Sequence, residues 1–207
     1  EELRDKYNQA IAEENVVALS IATRPDCLGD DVLDLLEEMS KKVYLWVELG
    51  LQTINDKTAE NFNRGYKFEV FKEGIKKLQD RGIEVVVHSI FGLPGETKED
   101  MLRTIDYIAH SGAQGIKFHL LHLMKNTKMA EQYYNGEFEL LSEEDYIDLI
   151  CQGISMIPEE MVVHRLTGDA PRATLIGPMW SLKKWEVLNA IDKALVDRDI
   201  WQGKNFK

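Results

Sequence analysis

The run IEVVVHSIF at residues 83–91, followed by GLPGET at residues 92–97, decides the fold class of this chain. Nine mostly apolar, often β-branched residues are typical of a strand buried on both faces. Two glycines and a proline then indicate a tight turn. Thr97, with Asp100 three residues later, indicates the capped start of a helix. The stretch therefore predicts the strand, turn and helix of a βαβ unit.

The same alternation recurs on both sides of this stretch. We predict four further strands, at residues 16–22 (VVALSIA), 43–49 (VYLWVEL), 115–121 (GIKFHLL) and 161–166 (MVVHRL). Helical periodicity marks residues 30–40, 68–81, 97–112, 146–157 and 181–201, and a polar loop is predicted at 124–140. Strands joined by helices predict an α/β fold with five mutually parallel strands. Such a sheet is either an open doubly wound sheet or an arc of a barrel.

The composition argues against several classes of protein. The 207 residues carry 36 acidic and 25 Lys or Arg side chains, a net charge of −11, which opposes a broad nucleic-acid surface. No apolar run is long enough to cross a bilayer, so no membrane partner is expected. Cys27 and Cys151 form no CxxC pair and no disulfide framework. We therefore expect one ordinary domain in a cytoplasmic protein.

Ligands of parallel sheets bind beyond the carboxyl ends of the strands, so candidate residues are sought there. Arg24, before Pro25, is either a clamp for a carboxylate or phosphate or a surface residue of a turn. Glu48, Gly50 and Gln52 share one strand face by alternation, and each polar group there needs a partner. That partner is either a ligand or, for Glu48, a neighbouring base such as Lys117.

The GLPGE loop is the third candidate at a strand end. Its glycines permit close backbone approach, and the following helix directs free N–H groups above the sheet. This arrangement suits a carboxylate, a phosphate or an adenine edge, although an ordinary tight turn uses the same residues. Four histidines in or after strands suggest a weaker alternative, a metal-dependent barrel hydrolase: His88, His119, His122 and His164. Because His119 and His122 are an odd number apart, one strand would point them to opposite faces, and we predict no metal site.

Several longer runs together resemble the radical S-adenosylmethionine (SAM) superfamily. They are WVELGLQTINDKT (46–58), NRGYKFE (63–69) and VVVHSIFGLPGET (85–97), with GIKFHLLHLMKNTKMA (115–130) and residues 162–192 resembling the YhcC-like family within it. That family is related to the elongator-type tRNA-modifying enzymes. The resemblance implies the later part of a partial (β/α)6 TIM-like barrel over residues 1–160. Residues 161–207 would be a carboxyl-terminal, family-specific strand, loop and helix.

The resemblance also implies roles for individual residues. Gln52 would face SAM, Arg64 would lie near its carboxylate and His88 would be a polar neighbour. The loop beside the adenosine would comprise Gly92, Leu93, Pro94, Gly95 and Glu96. Ala22 occupies a position where related enzymes often carry an acidic residue. In residues 164–180 we predict a substrate-side loop with three charged side chains: Arg165, Asp169 and Arg172.

The implied activity is that of a radical SAM enzyme, in which a 4Fe-4S cluster cleaves SAM to a 5′-deoxyadenosyl radical that modifies an unknown substrate. The chain lacks the CxxxCxxC cluster loop, so we interpret it as a carboxyl-terminal fragment, inactive alone, with the cluster held by the full-length parent. RNA is a weakly supported substrate. The first strand would be an exposed edge open to self-association. The alternative is a non-catalytic TIM-like module that binds a nucleotide or a partner.

Overall fold

A computed structural model describes residues 1–207 and shows an α/β fold built on a five-stranded sheet. The strands occur in the spatial order β1-β2-β3-β4-β6, and every neighbouring pair is parallel. Their bounds are β1 (Ala18–Thr23), β2 (Tyr44–Gln52), β3 (Glu84–Phe91), β4 (Gly115–Leu120) and β6 (Val162–Arg165). The prediction of five mutually parallel strands is therefore confirmed.

Eight helices follow or flank these strands. They are α1 (Glu2–Ala12), α2 (Asp30–Ser40), α3 (Asp56–Asn61), α4 (Phe68–Gln79), α5 (Lys98–His110), α6 (Lys128–Tyr134), α7 (Glu143–Met156) and α8 (Lys184–Asp197). The capping box expected at Thr97 and Asp100 is present at the start of α5. None of the helices combines the length and the apolar character that crossing a bilayer requires.

Two segments differ from the sequence-based expectation of loops. Residues 124–140 contain α6, in which the Thr127 hydroxyl accepts a hydrogen bond from the Ala130 N–H at 3.1 Å. Because Ala130 is the only buried residue of this helix, the sequence carries no apolar periodicity that would predict it. Residues 164–180 contain a short strand, β7 (Leu175–Gly177), which pairs antiparallel with β5 (Leu123–Met124).

The two faces of the main sheet differ in character. The face toward the helices is apolar, with Val47, Leu49 and Leu51 of β2 fully buried in the core. The other face carries half-buried polar side chains such as Glu48 and His88. A doubly wound sheet would bury both faces under helices, so these strands form an arc of a barrel, with the polar residues on its concave face.

The first strand lies at one edge of the sheet, as the sequence predicts. The helix α1 lies beside this strand, and its Tyr7 and Ile11 pack against the core. Val16 and Val17 precede β1 and are 39% and 82% exposed, so the predicted strand begins too early. Self-association through this edge stays a prediction.

Candidate ligand-binding site at the carboxyl edge of the sheet

The carboxyl end of β2 forms a rigid corner on the concave face. Gln52 has a φ of +63°, in the left-handed region, and the register with β3 shifts between Gly50 and Gln52. An ideal Cβ on Gly50 would lie 2.6 Å from the Gln52 Nε2, so only glycine lets the amide lie over this position. The Tyr66 hydroxyl lies 2.9 Å from the Gly50 carbonyl oxygen and 3.2 Å from the Gln52 Oε1. The Gly50 carbonyl and the Gln52 amide oxygen thus share the single hydrogen of the Tyr66 hydroxyl.

Arg64 stabilises this corner through hydrogen bonds to its backbone. Its side chain is buried, and Nη1 donates to the carbonyl oxygens of Leu51 at 2.8 Å and Thr53 at 2.5 Å. Its Nε donates to the Tyr66 carbonyl at 3.0 Å, and its Nη2 to Asp56 Oδ1 at 3.0 Å. A guanidinium has five N–H donors, so Arg64 is largely committed to the protein. Its clear contribution is to position the Gln52 corner.

The GLPGE loop follows β3 and is joined to the same corner. Gly92 and Gly95 have φ values of +86° and +87°, a conformation that other residues adopt only with strain. The Thr53 hydroxyl donates a hydrogen bond to the Glu96 carboxyl group. Burial raises the pKa of Glu96, although the contact with Thr53 opposes this. The loop and the end of β2 therefore form one structural unit.

Alanine substitutions at Gly92 and Gly95 are expected to distinguish the cost of backbone strain from the cost of a steric clash. An ideal Cβ on Gly92 would lie 3.1 Å from Leu141 Cγ, whereas one on Gly95 meets no atom within 4 Å. We expect Gly95→Ala to cost about 1 kcal/mol of unfolding free energy and Gly92→Ala about 2 kcal/mol. Urea denaturation of both variants measures the difference. Equal losses would contradict the packing of Leu141 on this loop.

A charged cluster lies on the concave face, where β2, β3 and β4 are adjacent. Glu48 Oε2 is 2.6 Å from Lys117 Nζ and 3.1 Å from His88 Nε2, and the Ser20 hydroxyl donates to Glu48 Oε1 at 2.8 Å. Burial favours the protonated acid, but the contacts with Lys117 and Ser20 prevail and lower the pKa of Glu48 to about 2. Of the two alternatives for Glu48, the structure shows the pairing with Lys117.

The histidines lie close together but form no metal site. The rings of His88 and His119 stack with their centroids 5.3 Å apart. Since β4 ends at Leu120, His122 is free of the strand alternation, and both His119 and His122 approach Gly168. The divergence expected within one strand therefore does not apply to this pair, because the strand ends before His122. No group of three or more His, Cys, Asp or Glu side chains is arranged to hold a metal ion.

Acid is expected to destabilise the fold through His119. Burial, together with the nearby charges of Arg165 and Lys117, lowers its pKa from 6.5 to about 4. Between these pH values the unfolded chain binds a proton that the folded chain does not, so the unfolding free energy falls as pH falls from 6.5 to 4. For this partly solvated ring we expect a loss of about 2 kcal/mol.

Urea denaturation at pH 7 and pH 4.5 measures this dependence. His119→Gln should reduce it, whereas His110→Gln should not, because His110 is exposed and its backbone hydrogen bonds to Asp106 and Lys207 raise its pKa. The same pH dependence in the wild type and in His119→Gln would contradict the assignment.

An apolar pocket of about 370 Å³ opens beyond the carboxyl ends of β3 and β4. Leu93 of the GLPGE loop lines one side of it, and Leu121 to Met124 line another. Sequence reasoning missed this pocket, because its walls come from three separate segments. The remaining lining residues are Asn61, Phe62, Asn63, Ile90, Thr127, Lys128, Met129 and Gln132.

Some candidate residues at the strand ends are already paired within the chain or are exposed. Arg24 lies beside the Gln52 corner, with its guanidinium 5.3 Å from the Tyr66 ring centroid, but forms a bidentate pair with Asp26, with Nε–Oδ1 at 2.9 Å and Nη2–Oδ2 at 2.6 Å, which favours the turn interpretation. Asp169 pairs with Lys184 at 2.8 Å, and Arg172 is exposed in the turn before β7. Gln52, His88 and the GLPGE loop, in contrast, lie on or beside the concave face.

Comparison with known proteins identifies the family. The model of the Radical SAM superfamily matches residues 1–108. This chain belongs to the radical SAM superfamily. A second model, the Radical_SAM C-terminal domain, matches residues 113–197. The resemblance inferred from the sequence is confirmed.

Curated relatives in the superfamily extend beyond this chain. YtqA of Bacillus subtilis (strain 168) is 51% identical over the whole chain, and YhcC of Escherichia coli (strain K12) is 38% identical over 96% of it. The chain spans 64% of the length of each. A tRNA uridine(34) acetyltransferase of Methanocaldococcus jannaschii is 29% identical over 83% of the chain and 31% of its own length.

A solved structure supports the radical SAM fold. The archaeal Methanocaldococcus infernus Elp3 superimposes with a TM-score of 0.78 at 22% identity, covering 90% of this chain and 43% of the Elp3 chain. At this identity the likeness shows the fold alone. The predicted parallel, TIM-like barrel arc is confirmed, and the boundary between residues 160 and 161 stays a prediction.

Proposed function

We propose that this chain binds S-adenosylmethionine at the carboxyl edge of its sheet, as part of a radical SAM enzyme. The observation that carries the proposal is the apolar pocket of about 370 Å³ beside the GLPGE loop. Small-molecule sites are mostly apolar clefts of about 300 to 1,000 Å³ with a few polar groups at their margins. A nucleoside-sized ligand fits that description at this place in the fold.

The residues of this edge suit different parts of the cofactor. Leu93 and Ile90 offer apolar surface to the adenine, and the turn formed by Gly92, Pro94 and Gly95 brings backbone close to it. Glu96 ties this loop to the end of β2. The contacts of these residues favour binding of the adenosine part.

The polar corner suits the remaining part of the cofactor. The Gln52 amide has its oxygen engaged by Tyr66, which leaves its N–H groups free to donate to a carboxylate. Arg64 contributes by fixing this corner. Burial lowers the pKa of His88, so near neutral pH its ring is uncharged and can hydrogen-bond without adding a charge.

A 4Fe-4S cluster does not fit the residues present. Such a cluster needs several cysteine thiolates close together, whereas Cys27 is exposed and Cys151 is buried far along the chain. The chemistry that SAM and the cluster supply together is reductive cleavage followed by hydrogen abstraction from the substrate. We place the cluster ligands in the parent protein, outside these residues.

Anaerobic reconstitution should therefore leave this chain without a cluster. We expect no stoichiometric 4Fe-4S absorbance or EPR signal after incubation with iron, sulfide and reductant, and no release of 5′-deoxyadenosine from SAM. The physical reason is that two distant thiols cannot replace three neighbouring ones. A full cluster with SAM cleavage in this chain would contradict the interpretation.

Binding of S-adenosylhomocysteine, a stable analogue, tests the proposed site. Met129 lines the pocket, so Met129→Trp should fill it and weaken binding at least tenfold in isothermal titration. Met179 is 51% exposed and lies outside the pocket, so Met179→Trp is the matched control and should bind like the wild type. Equal affinity in both variants would place the ligand elsewhere.

RNA is not part of this proposal. Four basic residues are candidates for a local RNA-binding patch: Arg165, Arg172, Lys183 and Lys184. The two lysines are already paired, Lys183 with Glu186 and Lys184 with Asp169, both at 2.8 Å. The net charge of −11 also opposes a phosphate backbone.

A further inference from the structure

Two cations on the concave face have hydrogen-bond donors that the fold leaves unpaired. Lys117 contacts Glu48 at 2.6 Å, which engages one of the three donors of its ammonium group. Arg165 lies 3.9 Å from Asp169 Oδ2, a distance too long for a hydrogen bond, and its guanidinium has no other partner in the chain. Lys117 is only 16% exposed, so its unpaired donors are costly.

A bulge in β6 brings Arg165 to the same face as Lys117. Ile116 pairs with Val163, and Lys117 then pairs with Arg165, so the register skips His164. Val163 packs against the core, while the His164 ring lies 6.1 Å from the ring of Trp46 on the concave face. Such a bulge re-aims the next side chain. The charge of Arg165 accordingly opposes protonation of both His88 and His119.

The acceptors near these cations are already used. Both oxygens of Glu48 are engaged, one by Ser20 and the other by Lys117 and His88. Asp169 is held by Lys184. The enclosed Nε2 of His119 also has no hydrogen-bond partner. The face therefore has unpaired positive donors and no free carboxylate, in a chain whose total charge is strongly negative.

We propose that Lys117 and Arg165 form an anion-binding site on the concave face, which holds a carboxylate or phosphate group of the substrate. A lysine supplies a point charge and an arginine a planar fork, and both anions suit that pair. The assignment of this anion to the substrate rests on the proposed function. The existence of the anion-binding site does not depend on that function.

The position of this site relative to the pocket suits a substrate. In the β3–β4 register His88 is opposite Lys117, and Ile90, which lines the pocket, is opposite His119. Two residues along a strand correspond to about 7 Å. A substrate anchored by its anion at Lys117 would thus extend toward the ligand in the pocket, where its reacting carbon is needed.

NMR of the histidine rings tests the site without SAM or cluster. The chain is titrated with inorganic phosphate, and separately with acetate, at constant ionic strength. We expect a saturable shift of the His119 ring signals and none of His110, which lies on α5 away from this face. If only phosphate gives a saturable shift, the site binds a phosphate group of the substrate. If only acetate does, it binds a carboxylate group. If both do, the site accepts either anion.

Variants at Arg165 make the test specific. Since the side chain of Arg165 makes no hydrogen bond in the chain, Arg165→Gln should fold normally and weaken anion binding at least tenfold, and Arg165→Lys should restore part of it. Arg103→Gln, at an exposed arginine, should bind like the wild type. No saturable shift, or equal affinity in Arg165→Gln and the wild type, would overturn the proposal. If S-adenosylhomocysteine still binds in that case, this inference fails and the proposed function does not.

Discussion

Replacing Arg64 by methionine is expected to lower the free energy of unfolding by at least about 3 kcal/mol. The substitution removes three hydrogen bonds to backbone carbonyl groups, those of Leu51, Thr53 and Tyr66, although the Leu51 carbonyl keeps the Thr53 N–H at 2.8 Å. A buried acceptor that loses its partner costs about 1 to 3 kcal/mol, and methionine can make none of these contacts. For a chain of this size the melting temperature should fall by roughly 6 to 12 °C.

The Arg64 experiment has a matched control on the surface. Arg103 is 69% exposed and pairs with Asp100 within one helical turn, so Arg103→Met should change stability by less than about 0.5 kcal/mol. Lysine at position 64 should recover only part of the loss, because one ammonium group cannot reproduce the planar fork. Calorimetry of Arg64→Met, Arg64→Lys and Arg103→Met measures the order of their melting temperatures. A stable Arg64→Met would show that the corner does not depend on the guanidinium.

Lys117→Met is the second substitution with a large expected effect, about 3 kcal/mol. The side chains of Glu48 and Lys117 are 13% and 16% exposed, so removal of the lysine leaves a carboxylate with little water and fewer partners. The pKa of Glu48 should then rise from about 2 toward its ordinary range. The loss of stability should be largest at neutral pH, where Glu48 would otherwise stay charged.

A double mutant separates the ion pair from packing effects. Glu48→Gln in the Lys117→Met background removes the unpaired charge and should recover more than half of the loss. Lys72→Met is the surface control, since Lys72 and Glu69 are 41% and 66% exposed. We expect that variant to lie within about 0.5 kcal/mol of the wild type. Additive losses at Glu48 and Lys117 would contradict a coupled pair.

The sequence predicted the sheet well because its strands are continuous apolar runs with β-branched residues. Alternation also correctly placed Glu48 and Gln52 on one face, although Gln52 itself has a left-handed φ that no pattern indicates. The stacking of His88 on His119 depends on the β3–β4 register, which single-strand patterns do not contain.

What the sequence could not predict arises from irregular backbone and from distant segments. Simple alternation would place the side chains of Arg165 and His164 on opposite faces of the sheet. Only the bulge in β6 brings Arg165 to the concave face. The pocket combines the end of α3, the GLPGE loop and the segment after β4, which tertiary packing alone brings together. Arg64 was expected to lie near the cofactor because of a family resemblance. Its hydrogen bonds to three backbone carbonyls are visible only in the folded chain.

The most direct measurement is a map of the amide ¹H–¹⁵N signals as S-adenosylmethionine is added to the chain. The pocket and the polar corner predict the largest saturable shifts at Gly50, Gln52, residues 92–96 and residues 121–124. Amides of α1, which contacts the carboxyl-terminal turn of α2 through Arg4 and Glu38, should not move. Shifts that saturate in this pattern, and vanish in Met129→Trp, agree with binding at the carboxyl edge of the sheet. No saturable shift at millimolar cofactor, or shifts confined to another surface, would contradict it.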